Sequence, residues 1–310
     1  MSAPKVWAAL ACVAALGATE AAARAEGRSD LLDAPAPPTL PALAHPSTTY
    51  TFEYTAASIA PIGTPSDGRA YAWYAHNELE VPLQSRKWYL GAAHDIASGA
   101  VPGAGHDFFF GNPELWGRGL WSSVVGLSSG GGFGLVLPLP RSPSDAALEV
   151  LRTVRVVRPW DSAYFTDRVL TLRPWFDIRH VTGRFIFQLR QGIDVAFPLR
   201  ALAPGEHRID YTARATFYAG YRLADAVGLG LEVWEVYTIS ADVADDKRAS
   251  VAISPSIRFL LGRVAPALSV LLPLTTPLRG EAASYYGARF NVSFDFDAGH
   301  RASASPRHAN

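Results

Sequence analysis

The sequence predicts an all-β fold, namely a transmembrane, antiparallel up-and-down β-barrel of about 12 strands. Two observations predict it. From Thr48 onward, segments of roughly 10–14 residues alternate apolar with polar side chains, the pattern of strands that have one face in lipid. The connections between these segments also alternate, short then long, as expected of a barrel with short periplasmic turns and long outer loops.

The first 25 residues have the organisation of a signal peptide. A positive charge at Lys5 precedes an apolar run, Ala8–Ala18, and Ala23-Arg24-Ala25 supplies the small residues of a cleavage site. The run is shorter than the roughly 20 apolar residues that a membrane-spanning helix needs. The only cysteine, Cys12, lies in this segment, so we expect an exported chain without a disulfide or a thiolate site.

Three further regions follow the signal peptide. Residues 26–47 are rich in Pro and Ala, which predicts an extended periplasmic segment without a core. Residues 48–297 form the predicted barrel, and residues 298–310 form a polar C-terminal tail.

The last strand shows the alternation most clearly. Phe290 and its neighbours two residues away are apolar, whereas Arg289 and its alternate neighbours are polar. Because successive side chains of a strand point to opposite faces, this segment has a lipid-facing and a lumen-facing side. Twelve such segments are predicted, at 48–58, 69–83, 87–97, 115–127, 131–139, 167–180, 184–199, 208–222, 227–241, 249–261, 265–274 and 284–297.

Two stretches depart from this pattern. Residues 144–157 fit either a short helix capped by Ser144 or an extra strand over 148–156, and the spacing of Leu148, Leu151 and Val154 favours the helix. In the fourth segment Gly117 and Gly119 obscure both faces, which predicts a bent or bulged strand.

Connection lengths agree with the strand count. If the N-terminus is periplasmic, the periplasmic connections are all short: Leu83–Lys87, Ser128–Gly131, His180–Arg184, Leu223–Val227 and Leu261–Ala265. The outer connections are mostly longer: Ala60–Gly68, Ser98–Glu114, Pro140–Thr166, Ala201–His207, Asp242–Arg248 and Thr275–Ala283. The longest, Pro140–Thr166, allows two alternatives. It either folds inward so that its arginines pair with Glu78 and Glu80, or it is a solvated surface loop.

Charged residues of both signs occupy the polar faces of the strands. We expect thirteen of them to line the lumen: Glu53, Glu78, Glu80, Arg173, Asp177, Arg179, Arg190, Asp194, Arg214, Glu232, Arg258, Arg289 and Asp295. Interleaved charges favour Arg–carboxylate networks, so the lumen is expected to be narrow or substantially filled.

Aromatic residues cluster near the ends of the segments. As a group they predict the interface girdles of a membrane barrel. The group consists of Tyr71, Trp73, Trp88, Tyr89, Trp116, Trp121, Trp160, Trp234, Tyr285 and Tyr286.

Composition and motifs argue against several functions. Lys and Arg total 28, as do Asp and Glu, so the charge gives no reason to expect a nucleic-acid partner. The eight histidines have no zinc-ligand spacing, and no Ser–His pair lies on a strand. Gly130–Gly134 lacks the Lys-Ser/Thr of a phosphate loop. We interpret His94-Asp95 as ordinary loop polarity. The sequence therefore predicts neither an enzyme nor a bound metal or cofactor.

Three short motifs give a family resemblance. Asn77-Glu78-Leu79-Glu80-Val81-Pro82-Leu83 resembles an early strand of the outer-membrane transporters of the MetA pathway of phenol degradation. Gly111-Asn112-Pro113-Glu114-Leu115 resembles a Gly-Asp element that opens a later strand of that family, with Asn in place of Asp. Gly287–Phe296 resembles the C-terminal strand signal of the barrel-assembly machinery, although the tail after Phe296 makes it internal. The resemblance, more distant to FadL-type channels, covers residues 48–297.

The resemblance implies an outer-membrane channel for small molecules, apolar ones among them. The expected partners are outer-membrane lipid, the barrel-assembly machinery and a small-molecule solute of unknown identity. Two alternatives stay open. One is a structural or surface-binding barrel that transports nothing, and the other is a secreted β-sandwich.

Overall fold

The computed structural model describes residues 47–61, 68–83, 87–124, 126–139, 144–202, 207–240, 248–275 and 282–296. The predicted signal peptide and the predicted tail lie outside these residues, as does nearly all of the Pro-rich segment. Within these ranges the strands are β1 Thr49–Pro61, β2 Ala70–Pro82, β3 Trp88–Val101, β4 Gly105–Phe110, β5 Glu114–Val124, β6 Leu127–Val136, β7 Val169–Thr182, β8 Phe185–Pro198, β9 Asp210–Ala224, β10 Val227–Thr238, β11 Ala249–Phe259, β12 Val264–Pro273 and β13 Ala282–Asp295. One α-helix, α1 Asp145–Val157, and one 3-10 helix, Pro159–Phe165, separate β6 from β7.

The strands close into a barrel of twelve positions. Each strand runs antiparallel to the strands with which it pairs, and β1 pairs with β13 from Thr49 opposite Asp295 to Ile59 opposite Tyr285. Closure leaves no free sheet edge at this seam, which a membrane barrel requires because lipid offers no hydrogen-bond partners. The predicted fold class is confirmed, and each of the twelve predicted segments overlaps a strand.

One position of the wall is occupied by two strands. β3 pairs with β5 over Trp88–Ala93 and with β4 over Ile96–Val101. β4 and β5 run in the same direction, so they form one strand interrupted at residues 111–113. Among the described strands, β4 pairs only with β3. β4 was not predicted, because residues 98–114 carry the polar and glycine residues of a loop.

The outward and inward faces have opposite chemistry. Phe290 is 40% exposed, whereas its neighbour Arg289 is 2% exposed. The same holds for Leu268, which is exposed, and Ser269, which is buried. A soluble sandwich would bury the apolar set, since its core is the apolar face. A closed barrel with an apolar exterior belongs in lipid, and the chain is an outer-membrane β-barrel.

No helix among the described residues is both long enough and apolar enough to cross a membrane.

The second predicted turn is wrong. Residues 128–131 lie within β6, which begins at Leu127, and Gly126 with φ +76° belongs to the turn before it. The glycines that suggested a turn instead make room for aromatic rings from the neighbouring strands. A Cβ on Gly132 would lie 2.3 Å from the Trp175 ring. The pairing of β5 is regular at Gly117 and Gly119, where an irregularity was predicted, and a register shift lies instead between Ser122 and Val124.

Eight of the ten aromatic residues that were assigned to the girdles divide into two groups, while Trp73 is partly exposed and the side chain of Tyr285 lies outside the described part of the structure. Tyr71, Trp88, Trp121 and Tyr286 are more than half exposed, as girdle residues should be. The other group is buried inside the barrel, so its assignment to the girdles is wrong: Tyr89, Trp116, Trp160 and Trp234. Alternation alone could have separated the two groups on each strand, but Trp160 lies outside any strand.

Candidate functional site: a plug inside the barrel

The longest connection folds into the lumen. Its first half is α1, so the helical alternative for residues 144–157 is confirmed. The Ser144 hydroxyl accepts a hydrogen bond from the Ala147 backbone N–H at 3.3 Å, which caps the helix. We call residues 144–165, which comprise the Ser144 cap, α1 and the 3-10 helix, the plug.

The apolar face of α1 packs against the upper wall of the barrel. Val150, Leu151 and Val154 are buried in one cluster with small wall residues, among them Ala72 and Ala97. The fit is close. A Cβ on Gly99 of β3 would lie 3.0 Å from Val150 Cγ1. The half of the lumen farther from the short turns is therefore apolar and filled by the helix.

The 3-10 helix fills the middle of the barrel with aromatic rings. Trp160 lies against Trp234 of β10, with the ring centroids 4.0 Å apart. Phe165 meets Tyr74 of β2 edge to face at 5.3 Å. All four rings are buried. Such pairs contribute about 0.5–1.5 kcal/mol each beyond the area that they bury.

Ion pairs join the plug to the wall. Arg158 Nη1 lies 3.2 Å from Glu53 Oε1 on β1, and Arg158 Nη2 lies 2.6 Å from Asp161 Oδ2 within the plug. Glu53 also accepts a hydrogen bond from the Thr55 hydroxyl at 3.1 Å. An inward loop was expected to pair its arginines with Glu78 and Glu80. That pairing is wrong, because Glu80 faces Arg118 and the loop arginine reaches Glu53 instead.

Arg173 of β7 is the hub of this network. Its guanidinium lies 3.0 Å from Glu114, 3.2 Å from Asp194 and 3.3 Å from Asp161. It also donates a hydrogen bond of 2.9 Å to the backbone oxygen of Trp160. Three carboxylates and one carbonyl therefore surround one buried cation, and two of these four acceptors belong to the plug.

Burial and charge set the protonation of the plug residues. Burial by itself would raise the pKa of Asp161, but the Arg158 and Arg173 guanidiniums outweigh it and hold that pKa below its ordinary value. Burial would lower the pKa of Arg158, yet Glu53 and Asp161 raise it further above its ordinary value. The plug therefore holds a charged pair at neutral pH.

Asn112, at the interruption between β4 and β5, fastens the end of the plug. Its side-chain amide donates to the backbone oxygens of Ala163 at 3.2 Å and Thr166 at 2.9 Å. Its Oδ1 accepts from the Leu139 N–H at 3.2 Å, and its own backbone N–H donates to the Tyr164 oxygen at 2.6 Å. The motif that carried the family resemblance is thus the point where the wall holds the plug.

Further Arg–carboxylate pairs line the wall toward the short turns. Arg118 donates to both oxygens of Glu80, at 2.7 and 2.5 Å, and lies over the Tyr89 ring. Arg190 is bidentate to Asp177 at 2.8 and 2.9 Å. On the opposite side Arg289 donates to Glu232 at 2.7 Å. Buried pairs of this geometry cost several kcal/mol when one partner is removed.

The structure describes all thirteen residues that the sequence assigned to the lumen. Nine are buried: Glu53, Glu80, Arg173, Asp177, Arg179, Asp194, Glu232, Arg258 and Arg289. The other four are partly exposed: Glu78, Arg190, Arg214 and Asp295. Of these, Asp295 lies at the end of β13 and accepts a hydrogen bond from Thr49 at 2.9 Å.

Several residues of the network were not predicted. Asp95 is fully buried in β3 and contacts His76 at 2.6 Å and the Tyr74 hydroxyl, so the interpretation of His94-Asp95 as loop polarity is wrong for Asp95. The alternation of β3 carried this signal, since Asp95 shares its face with buried Ala93 and Ala97. Arg118 was missed because glycines flank it on both sides.

A small cavity separates the plug from the wall. Its volume is about 80 Å³, and its lining combines charged and aromatic side chains. Arg158, Trp160 and Tyr164 of the plug form one side, and Glu78 and Arg214 are among the wall residues. Typical pockets for small-molecule ligands measure about 300–1,000 Å³. With the plug in place the cavity is therefore too small for a solute of that size.

Among the described residues, no group of three or more His, Cys, Asp or Glu side chains is placed to hold a metal ion.

Comparisons with known proteins identify the fold. No protein-family model matches the chain, and none of the curated proteins does either. Among solved structures, an outer membrane channel from Pseudomonas putida F1 is similar with a TM-score of 0.58 at 10% identity, covering 81% of this chain and 96% of that one. The NanC porin is similar with a TM-score of 0.51 at 10% identity, covering 81% of this chain and all of that one. At this identity the likeness establishes the barrel fold alone.

Proposed function

We propose that the protein is an outer-membrane channel for small molecules whose conducting state requires the plug to move. The observation that carries the proposal is the plug itself, which occupies the lumen but belongs to a connection between strands rather than to the wall. A barrel that served only as a surface scaffold would gain nothing from an Arg–carboxylate network aimed at a connection between strands.

The way the plug is held supports a gate more than a permanent core. One half is fastened by apolar packing of α1, and the other by a few charged contacts through Arg158 and Arg173. Charged contacts in a low-dielectric lumen are strong when formed and costly when half broken, so they favour two discrete arrangements. Proteins commonly switch between functional states through discrete arrangements of this kind, so a closed and an open position of the plug are expected.

The proposal includes apolar molecules among the solutes. The upper wall that α1 covers is lined by apolar side chains, including Ile59 and Leu271, so displacing the helix would uncover an apolar passage. β4 adds Phe109 to this apolar lining, since Phe109 is buried in the same cluster as the helix, whereas Phe108 and Phe110 face outward. Because β4 pairs only with β3 among the described strands, this part of the wall is held less firmly than the rest.

A reversible covalent lock tests the gate. Gly99→Cys with Val150→Cys places two thiols where a Cβ on residue 99 would lie 3.0 Å from Val150 Cγ1, within reach of a disulfide. The refolded chain without residues 1–25 contains no other cysteine. In planar bilayers we expect stepwise currents from the reduced double variant, loss of these currents on oxidation, and recovery with a reductant.

Gly99→Cys alone is the matched control, and its currents should be the same under oxidising and reducing conditions. Equal currents from the oxidised and reduced double variants would refute the plug as the gate. A folded barrel that never conducts, even with the lock reduced, would favour the alternative of a non-transporting barrel.

A further inference from the structure

Gln188 of β8 is a buried side chain whose hydrogen-bonding capacity is unused. It is 1% exposed, and neither its Oε1 nor its Nε2 has a hydrogen-bond partner. Folded proteins satisfy the great majority of buried polar atoms, because an unsatisfied one costs about 1–3 kcal/mol. A buried amide without a partner therefore indicates a group that binds there.

The strand register places a cationic and an aromatic neighbour beside Gln188. Arg179 of β7 is directly opposite it on one side, and Tyr218 of β9 is directly opposite it on the other. Directly opposed residues have Cβ atoms about 4.5–5.5 Å apart, so the three side chains share one patch of the inner wall. Arg258 of β11 is close enough to interact electrostatically with both Arg179 and Tyr218.

The carboxylates facing this patch are already engaged with other arginines. Glu232 accepts from Arg289 at 2.7 Å, and Asp177 accepts from Arg190 at 2.8 and 2.9 Å. Arg258 donates to the neutral amide oxygen of Asn291 at 2.9 Å, and its Nε is buried without an acceptor. The patch therefore has excess positive charge and excess N–H donors.

Two glycines receive the ring of Tyr218. A Cβ on Gly220 would lie 2.6 Å from the Tyr218 hydroxyl oxygen, and a Cβ on Gly230 would lie 2.4 Å from its ring. The ring of Tyr218 therefore lies against the wall, in the space that these two positions leave.

We propose that Gln188, Arg179 and Arg258 form a binding site for a small oxyanion, a carboxylate or a phosphate, in the half of the lumen nearer the short turns. Gln188 Nε2 and Arg258 Nε donate hydrogen bonds to it, and the two guanidiniums balance its charge. Gln188 Oε1 accepts from a hydroxyl of the bound molecule where it carries one. The site goes beyond the proposed channel function and does not require the plug to move.

Calorimetric titration of the folded, detergent-solubilised barrel tests the site without any current. Acetate and inorganic phosphate are the two probes, in chloride-free buffer, and they distinguish a carboxylate site from a phosphate site. We expect one saturable site per barrel. Gln188→Leu, which leaves the charge unchanged, should weaken binding about tenfold, since it removes a buried hydrogen bond. Arg258→Gln should weaken it by at least as much.

Arg69→Gln is the matched control, because it removes one positive charge from the outer face of the barrel, where Arg69 donates to Ser58 and lies over the exposed ring of Tyr286. It should bind both probes as the unchanged protein does. Equal affinity of Gln188→Leu and the unchanged protein, with both variants folded by the heat-shift assay on gels, would overturn the site. The absence of saturable binding for both probes would do the same.

Discussion

Arg158 at the end of α1 and Glu53 on β1 are joined across the lumen at 3.2 Å, and both side chains are at most 3% exposed. The two residues are more than a hundred positions apart in the chain. Their ion pair is one of two that join the plug to the wall, the other being Asp161 with Arg173, so it contributes to how firmly the plug is held.

Arg158→Met should loosen the plug strongly. The change leaves Glu53 and Asp161 buried without their shared cation, which typically costs about 3–5 kcal/mol. Protease cleavage between residues 144 and 165 in the folded barrel should accelerate correspondingly. Adding Glu53→Gln should restore part of the loss, because it neutralises the carboxylate that has lost its ion-pair partner, whereas Asp161 keeps Arg173.

The control for that experiment is Arg152→Met on the outer side of the same helix. Arg152 pairs with Glu149 at 2.6 Å, but both side chains are more than half exposed. Exposed pairs contribute about 0–1 kcal/mol, so cleavage should hardly change. Equal acceleration by Arg152→Met and Arg158→Met would mean that the buried pair has no special role.

Acid should release the plug. The folded-state pKa of Asp161 lies below its ordinary value of 3.8, so the stability that its charge provides is fully present above that value and is lost as pH falls through the folded-state pKa. Plug docking should therefore be constant from neutral pH to about pH 4 and weaken below it. Channel opening in bilayers at stepwise lower pH measures this.

Asp161→Asn should shift that behaviour. Channels of the variant should open more readily at neutral pH. Their opening should increase less on acidification, because the carboxyl group that titrates is gone. If acid opens the variant and the unchanged protein by the same amount, groups other than Asp161 control the transition.

Two neighbouring residues of β13 should each destabilise the barrel when substituted, but for different reasons, because one faces lipid and the other faces the lumen. Phe290→Arg puts a charge on the lipid face, which costs about 2–4 kcal/mol near the bilayer midplane. Arg289→Phe leaves Glu232 buried without its partner, at a cost of about 3–5 kcal/mol. Urea unfolding of the refolded barrel in lipid vesicles measures both changes.

Phe296→Arg is the positional control, because Phe296 follows the end of β13 and is 57% exposed. A charge near the interface should cost only about 0–1 kcal/mol. Destabilisation by Phe296→Arg as large as that by Phe290→Arg would show that the lipid-facing belt extends past the end of the strand.

Glycines under aromatic rings should tolerate no side chain. A Cβ on Gly132 would lie 2.3 Å from the Trp175 ring and 2.8 Å from the Gly117 oxygen, so Gly132→Ala should cost about 1–3 kcal/mol and lower the refolding yield. Gly117→Ala is the control, since its nearest described contact is an ordinary 3.4 Å to Leu90. Equal refolding yields for the two variants would contradict the close contact between Gly132 and the Trp175 ring.

The sequence by itself determined the barrel, the number of strands around it and the facing of most residues. These features follow from an alternation of period two and from connection lengths, which are local properties of the chain. Phe290 and Arg289 are assigned correctly from their parity alone. Ser144 and the spacing of Leu148, Leu151 and Val154 likewise indicated α1, because caps and helical periodicity are local.

Only the tertiary structure decided which residues meet across the lumen. Alternation placed Glu53 and Glu80 on inward faces, but not the choice of Arg158 for one and Arg118 for the other. That choice depends on strand register and on the path of a long connection, both fixed by packing among residues far apart in the chain. For the same reason the sequence did not reveal β4, the hydrogen bonds of Asn112 to the end of the plug, or the glycine that receives the ring of Trp175. Each of these is defined by a neighbour that the local sequence does not contain.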